Sequence, residues 1–167
     1  MQDLDPAARE ELKRLLPEIT RGIEELHKDE WYPLGRLVEV CTTIDQVYGD
    51  AERGFAAIKG CGRYIAEEGA STYLKLVLKI VTPRLFVRQF PTLWKRYHDF
   101  GELTIDTGGL DQNRATIFMP AYPCVRGLST GWIEYAFTLF KTQVRIESNW
   151  PWRAPVPDRL ELRLHWD

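Results

Sequence analysis

The chain has 167 residues, with 44% hydrophobic and 28% charged side chains, a net charge of −2 and a pI near 6.0. That length suits one domain whose core buries roughly 68 to 70% of the unfolded surface without disulfides or metal, and the composition is too balanced for a disordered or fibrous protein. The small net charge gives no global field for phosphate backbones or anionic lipid heads, which excludes nucleic acid as a first expectation.

Cys41, Cys61 and Cys124 are odd in number and far apart in sequence, with no CxxC pair for zinc or a disulfide framework, and they fit a reducing compartment. The opening MQDLDPAAREELKRL lacks the apolar centre of a signal peptide, and no run of about 18 apolar residues occurs. A cytoplasmic protein without membrane insertion is expected.

Asp5-Pro6 reads as an N-cap followed by proline at the first helical position, leading a charged helix that Pro17 interrupts. A short second helix is expected through Ile19, Ile23 and Leu26. Pro33 opens a third, with Leu34, Leu37, Val38, Cys41 and Ile44 on its core face. After the turn Tyr48-Gly49-Asp50 comes a helix marked by Phe55, Ile58, Cys61, Gly62 and Ile65. Its Gly54, Gly60 and Gly62 each cost about 0.5 to 1 kcal/mol relative to alanine, which points to a close helix crossing or a kink; no strand precedes them, so a phosphate loop does not fit.

Ser71 caps an apolar helix over STYLKLVLKIV, and Thr82-Pro83 starts another that Pro91 should kink. From Gly101 the period changes. Glu102–Thr107 and Arg114–Met119 read as a hairpin around GGLDQN. Arg126–Gln143 is an amphipathic helix with Leu128, Trp132, Tyr135, Ala136, Leu139 and Phe140 on its apolar side. Val144–Ser148 and Leu160–Trp166 are two more strands, the last alternating Leu160, Leu162, Leu164 and Trp166 against Glu161, Arg163 and His165. Between them NWPWRAPVPD reads as a rigid packed loop.

The sum is an α+β fold, an N-terminal helical half packed on a C-terminal antiparallel sheet of order β-β-α-β-β with a long core helix. One domain spans 1–167, divided into an N-terminal helical segment (1–30), a helical half (31–100) and a sheet plus helix (101–167).

Catalytic patterns are missing: the chain has no GxSxG, HExxH, P-loop or GxGxxG after a strand. His27, His98 and His165 lie on separate elements and give little support for a metal site. His98 ends a helix, where a histidine either binds the last carbonyls or serves as a pH sensor or heme ligand. Cys124 precedes the start of a helix, where the macrodipole and Arg126 would lower a thiol pKa; the alternative is a small buried hydrophobe. Arg126 with the first-turn amides makes an anion-receptive corner to which Tyr122 adds a hydroxyl, or else it pairs internally with a carboxylate. The tryptophans Trp31, Trp94, Trp132, Trp150 and Trp152 are core filler or the lining of an apolar pocket or partner surface.

From Trp31 to Trp166 the order of parts resembles the superfamily that joins heme-NO-binding (H-NOX) domains, 4-vinyl-reductase-like domains and subunits of the TRAPP trafficking complex. The carriers are WYPLGRLVEV, YGDAERGFAAIKGCGRYIAEEG, TPRLFVRQFPTLWKRYHDFGEL and AYPCVRGLSTGWIEYAFTLF. The proline-containing helix, its following glycine and the RGL-type helix start are most similar to uncharacterised paralogues expanded in myxobacteria.

Heme-NO-binding domains hold the heme propionates with a Tyr-x-Ser-x-Arg motif, which Tyr122-Pro123-Cys124-Val125-Arg126 resembles with cysteine in place of serine. The simplest register puts Trp94 at the family's proximal-histidine position and His98 one turn later. The resemblance therefore implies a non-enzymatic small-molecule-binding sensor or regulatory adaptor without a cofactor. Its ligand would be small and apolar or amphipathic, held by Tyr122, Cys124, Arg126, Trp94 and His98, with no catalytic or metal-binding residue. The alternatives are a heme-binding gas sensor, or a dimeric scaffold that meets a protein partner or a second copy.

Overall fold

The computed structural model describes residues 6–17, 30–69 and 81–167. Five helices, α1 (Pro6–Leu15), α2 (Leu34–Tyr48), α3 (Ala51–Gly69), α4 (Pro83–Tyr97) and α5 (Val125–Leu139), accompany strands β1 (Thr104–Asp106), β2 (Arg114–Pro120), β3 (Val144–Ser148) and β4 (Arg159–Trp166). The sheet is antiparallel with order β1-β2-β4-β3. The expected α+β class and β-β-α-β-β order are thus present, whereas the helices expected around Ile23 and after Ser71 fall outside the described residues.

Period-two alternation decides which face of the sheet is covered. Leu160, Leu162, Leu164 and Trp166 are all buried, as are Ala115, Ile117 and Met119 of β2. Their register, with Ala115 opposite Leu164 and Ile117 opposite Leu162, lines these side chains up on one face. β1 is shorter than the predicted strand: only Thr104, Ile105 and Asp106 pair with β2. The chain then folds into a turn in which Asp106 Oδ1 accepts from the Gly108 N–H at 2.8 Å.

α5 lies on the buried face of the sheet. Val125, Ile133 and Phe137 share a cluster with the sheet residues, while Leu128 on the other side joins Ile58 and Cys41 in a second cluster. The single apolar side expected of this helix is therefore corrected: it is buried on both sides, as befits the middle layer of a three-layer packing. It also stops at Leu139 instead of Gln143. The Lys141 N–H donates to the Thr138 carbonyl and the Thr142 N–H to the Phe137 carbonyl, with Lys141 left-handed at φ 55°. That is a Schellman termination made without glycine, so the sequence carried no stop signal.

The glycines of α3 serve a close crossing, one of the two alternatives read from the sequence. A Cβ on Gly62 would run into the Leu128 backbone, and one on Gly131 of α5 into the Lys59 carbonyl. Gly54 is filled by the Asp45 side chain of α2, whereas Gly60 faces open space. The buried face of α3 runs through Gly54, Ile58, Gly62 and Ala66, an i, i+4 row. Ile65, one of the residues that mark this helix in the sequence, falls beside that row and is 48% exposed.

α4 begins where Thr82-Pro83 predicts: Thr82 Oγ1 accepts from the Leu85 N–H at 3.3 Å and Pro83 occupies the first turn. The helix continues through Pro91 to Tyr97. The proline-rich loop before β4 is packed as expected. Trp150 is buried and its indole N–H donates to the Ala154 carbonyl at 3.0 Å. Trp152 and Arg153 reach across to α2, donating to the two Asp45 carboxylate oxygens at 2.7 and 2.9 Å. Trp31, weighed as core filler, is 62% exposed.

Candidate functional site

A pocket of about 320 Å³ opens beside the α3–α5 crossing. Leu37 of α2, Ala66 of α3, Phe90 and Leu93 of α4, and Leu128 and Trp132 of α5 supply most of its apolar wall. The residues of its described lining that carry polar side-chain atoms are Trp94, His98, Tyr122, Ser129 and Tyr135. A few polar groups set in an apolar concavity are what a small-molecule site needs: burial supplies affinity and the polar groups supply orientation.

Trp94 and His98 are one helical turn apart, and the chain leaves helical geometry at His98, whose φ is −139°. The imidazole folds back onto the indole, with ring centres 3.6 Å apart and planes 4° from parallel. His98 Nδ1 lies 3.3 Å from the Trp94 carbonyl oxygen. A carbonyl only accepts, so Nδ1 carries the proton and Nε2 keeps its lone pair. Burial pushes the His98 pKa below the usual value, against smaller raising effects of the Trp94 carbonyl and Asp99. Burial thus favours the neutral form of this imidazole in the pocket lining. The indole N–H of Trp94 is buried and has no hydrogen-bond partner among the described residues.

Tyr122 stands where β2 hands the chain to α5. It is 8% exposed, packs edge-on to Phe100 at 5.9 Å, and burial raises its phenol well above the ordinary range. It is part of the pocket lining, and its raised pKa keeps the phenol protonated.

The other two sequence-predicted site residues point elsewhere. Cys124 is the N-cap of α5, left-handed at φ 72°, and its sulfur sits in the second cluster, 4.0 Å from Thr42 Oγ1. The guanidinium of Arg126 lies over the Phe55 ring at 4.8 Å, and burial lowers its pKa. Among the described residues it makes neither the internal ion pair weighed for it nor a contact with the pocket. Trp94, His98 and Tyr122 thus come together, and Cys124 and Arg126 lie outside the described lining.

The cysteines, distant in sequence, are neighbours in space. Cys41 of α2 is buried beside Cys124, and Cys61 packs at the edge of the same cluster. The neighbouring Cys41 and the Thr42 hydroxyl favour the Cys124 thiolate against its desolvation, and Cys41 itself is pushed up. Only tertiary packing brings these groups together, so no local spacing could have announced them. Among the described residues no group of three or more His, Cys, Asp or Glu side chains could hold a metal ion, and no helix is long and apolar enough to cross a membrane.

Solved structures of H-NOX proteins have this fold. The chain is similar to the Fe(II) unliganded H-NOX protein from K. algicida, with a TM-score of 0.64 at 9% identity over 96% of this chain and 95% of that one. It is similar also to an H-NOX protein from S. oneidensis in the Fe(II)NO ligation state, with a TM-score of 0.62 at 14% identity over 98% and 99%. A mutant structure of T. tengcongensis H-NOX aligns with a TM-score of 0.58 at 11% identity over 96% and 93%. The fold is therefore H-NOX-like across nearly the whole chain. No protein-family model and no curated protein matches the sequence.

Proposed function

We propose that this chain is a single-domain, non-enzymatic sensor or adaptor that takes a small, apolar or amphipathic, uncharged molecule into the pocket between α3, α4 and α5. The pocket itself carries the reading: an apolar cavity of about 320 Å³, at the small end of the range for ligand sites, with neutral hydrogen-bonding groups at Trp94, His98 and Tyr122.

Heme is the group that the H-NOX-like fold implies, and the residues fit it only at one end. His98 has a suitable iron donor in Nε2, since its Nδ1 proton is turned to a carbonyl. Among the described residues the grip on the propionates is missing: Cys124 is packed in a cluster with Cys41, and Arg126 is turned onto Phe55. Trp94, flat against His98, fills the position one turn earlier. The residues do not fit a heme as a whole, and a heme-free occupant follows.

Titration of the purified protein with N-phenyl-1-naphthylamine, an uncharged aromatic probe, tests the proposal. Saturable quenching of tryptophan fluorescence is expected, weakened several-fold by Trp132→Ala. No saturable binding would overturn the pocket. In parallel, hemin is added to the same protein. A Soret band of stoichiometric intensity that His98→Ala abolishes would overturn the heme-free reading and install the gas sensor in its place.

A further inference from the structure

We propose that Cys41 and Cys124 form a redox-active pair, in which Cys124 is oxidised by hydrogen peroxide and Cys41 resolves the product into a disulfide that staples α2 to the start of α5. The two residues belong to one cluster of six buried side chains, with Leu12, Ile44, Ile58 and Leu128 as the others. Apolar neighbours exclude larger reagents, so a small oxidant is required. Cys124 is 7% exposed and Cys41 2%, which makes Cys124 the first to be reached.

Geometry also distinguishes their roles. Cys124 heads a 15-residue helix, whose first amides favour negative charge at that end. Thr42 Oγ1 stands 4.0 Å from its sulfur, and Cys41 is buried in the same cluster beside it. Asp45 opposes the thiolate, but its carboxylate already accepts from Trp152 and Arg153, which offsets much of its charge. Cys61, at the margin of the cluster, acts weakly on Cys41.

The chemistry balances in two steps. The Cys124 thiolate attacks one peroxide oxygen, the O–O bond breaks, and a proton goes to the departing hydroxide, giving a sulfenic acid and water. The Cys41 sulfur then attacks the sulfenic sulfur; the S–O bond breaks and the Cys41 proton leaves with the hydroxyl as a second water. Two thiols lose two electrons in all and the peroxide gains them.

The staple lies against the ligand pocket. Leu128 belongs to both the cysteine cluster and the pocket wall, Leu37 lines the pocket and packs on the cluster, and Tyr122 is two residues before Cys124. Bridging therefore changes probe affinity, a consequence that rests on the pocket reading where the thiol pair does not.

The folded, reduced wild-type chain is treated with hydrogen peroxide, alkylated in denaturant and mapped by mass spectrometry. The expected product is a monomer two hydrogen masses lighter, with one peptide joining Cys41 to Cys124 and Cys61 alkylated; dithiothreitol reverses it. In Cys41→Ser, dimedone traps a sulfenic acid on Cys124, and Cys61→Ser bridges like wild type. Oxidation confined to Cys61, an intermolecular disulfide, or three thiols left free would each overturn the pair. Because the mapping uses wild-type protein, it decides even if a variant fails to fold. N-phenyl-1-naphthylamine affinity should differ several-fold between bridged and reduced protein. Equal affinities overturn the link to the pocket, while no binding by either form overturns the pocket and leaves the thiol pair intact.

Discussion

The imidazole of His98 lies flat on the indole of Trp94, 3.6 Å away and nearly parallel, at the end of α4. The contact places a titratable ring in the pocket lining, where burial favours its neutral form. Burial lowers the folded-state pKa below the unfolded value of about 6.5. For such a group the unfolded chain binds more protons between the two pKa values, so stability is full above about pH 6.5 and is lost as pH falls through the folded pKa. Urea midpoints measured from pH 7.5 to 5 should decline below about pH 6.5, and His98→Gln should flatten that part of the curve. An unchanged slope in the variant would show that His98 is not the group titrating.

Trp94 supplies a second expectation through its unpartnered N–H. Replacing a buried tryptophan normally costs about 3 to 5 kcal/mol when it leaves a cavity. Trp94→Phe keeps most of the ring and removes an orphan donor whose burial is itself unfavourable by about 1 to 3 kcal/mol. The variant should therefore lie within about 1 kcal/mol of wild type in chemical denaturation, whereas Trp94→Ala should fall well below both.

The crossing of α3 and α5 separates two glycines of the same helix. At Gly62 a methyl group meets the Leu128 backbone, which cannot move aside as a side chain could. Gly62→Ala should destabilise by about 1 to 3 kcal/mol or more. At Gly60 nothing lies within 4 Å, so Gly60→Ala should stabilise by about 0.5 to 1 kcal/mol through helix propensity. Opposite signs from one chemical change, read by urea unfolding, check the crossing directly.

Asp45 receives the Trp152 indole N–H and the Arg153 Nε–H, while the other Arg153 nitrogens donate to the carbonyls of Gly49, Asp45 and Asp50. Arg153→Lys should cost about 1 to 3 kcal/mol despite keeping the charge, because an ammonium cannot span these acceptors as a planar fork does. Asp45→Ala, which also strips Trp152 of its acceptor, should cost more. Scanning calorimetry on the two variants ranks them.

Sequence patterning made the layers legible because they rest on local rules. Alternation exposed the Leu160 to Trp166 face, and the Thr82-Pro83 start of α4 followed from capping chemistry. Glycine spacing announced a crossing without saying with what. The end of α5 was overrun because Lys141 adopts the left-handed conformation that glycine normally signals. Of the site, the turn from Tyr122 to Arg126 stood out from its position before a helix, yet nothing local tells which way each side chain points: Tyr122 lines the pocket, Arg126 turns to Phe55, and Cys124 meets a cysteine of α2. The Asp45 clasp joins residues more than a hundred positions apart, a separation that no periodicity spans.

The glycine crossing has a mechanical corollary. α3 and α5 meet backbone to backbone at Gly62 and Gly131, so neither can slide without breaking hard contacts. α4 meets the α5 segment with ring contacts, Phe86 and Phe90 against Trp132, Phe137 and Phe140. The cavity thus has one wall locked by backbone contact and another built from stacked rings, and the Trp94–His98 pair belongs to the second.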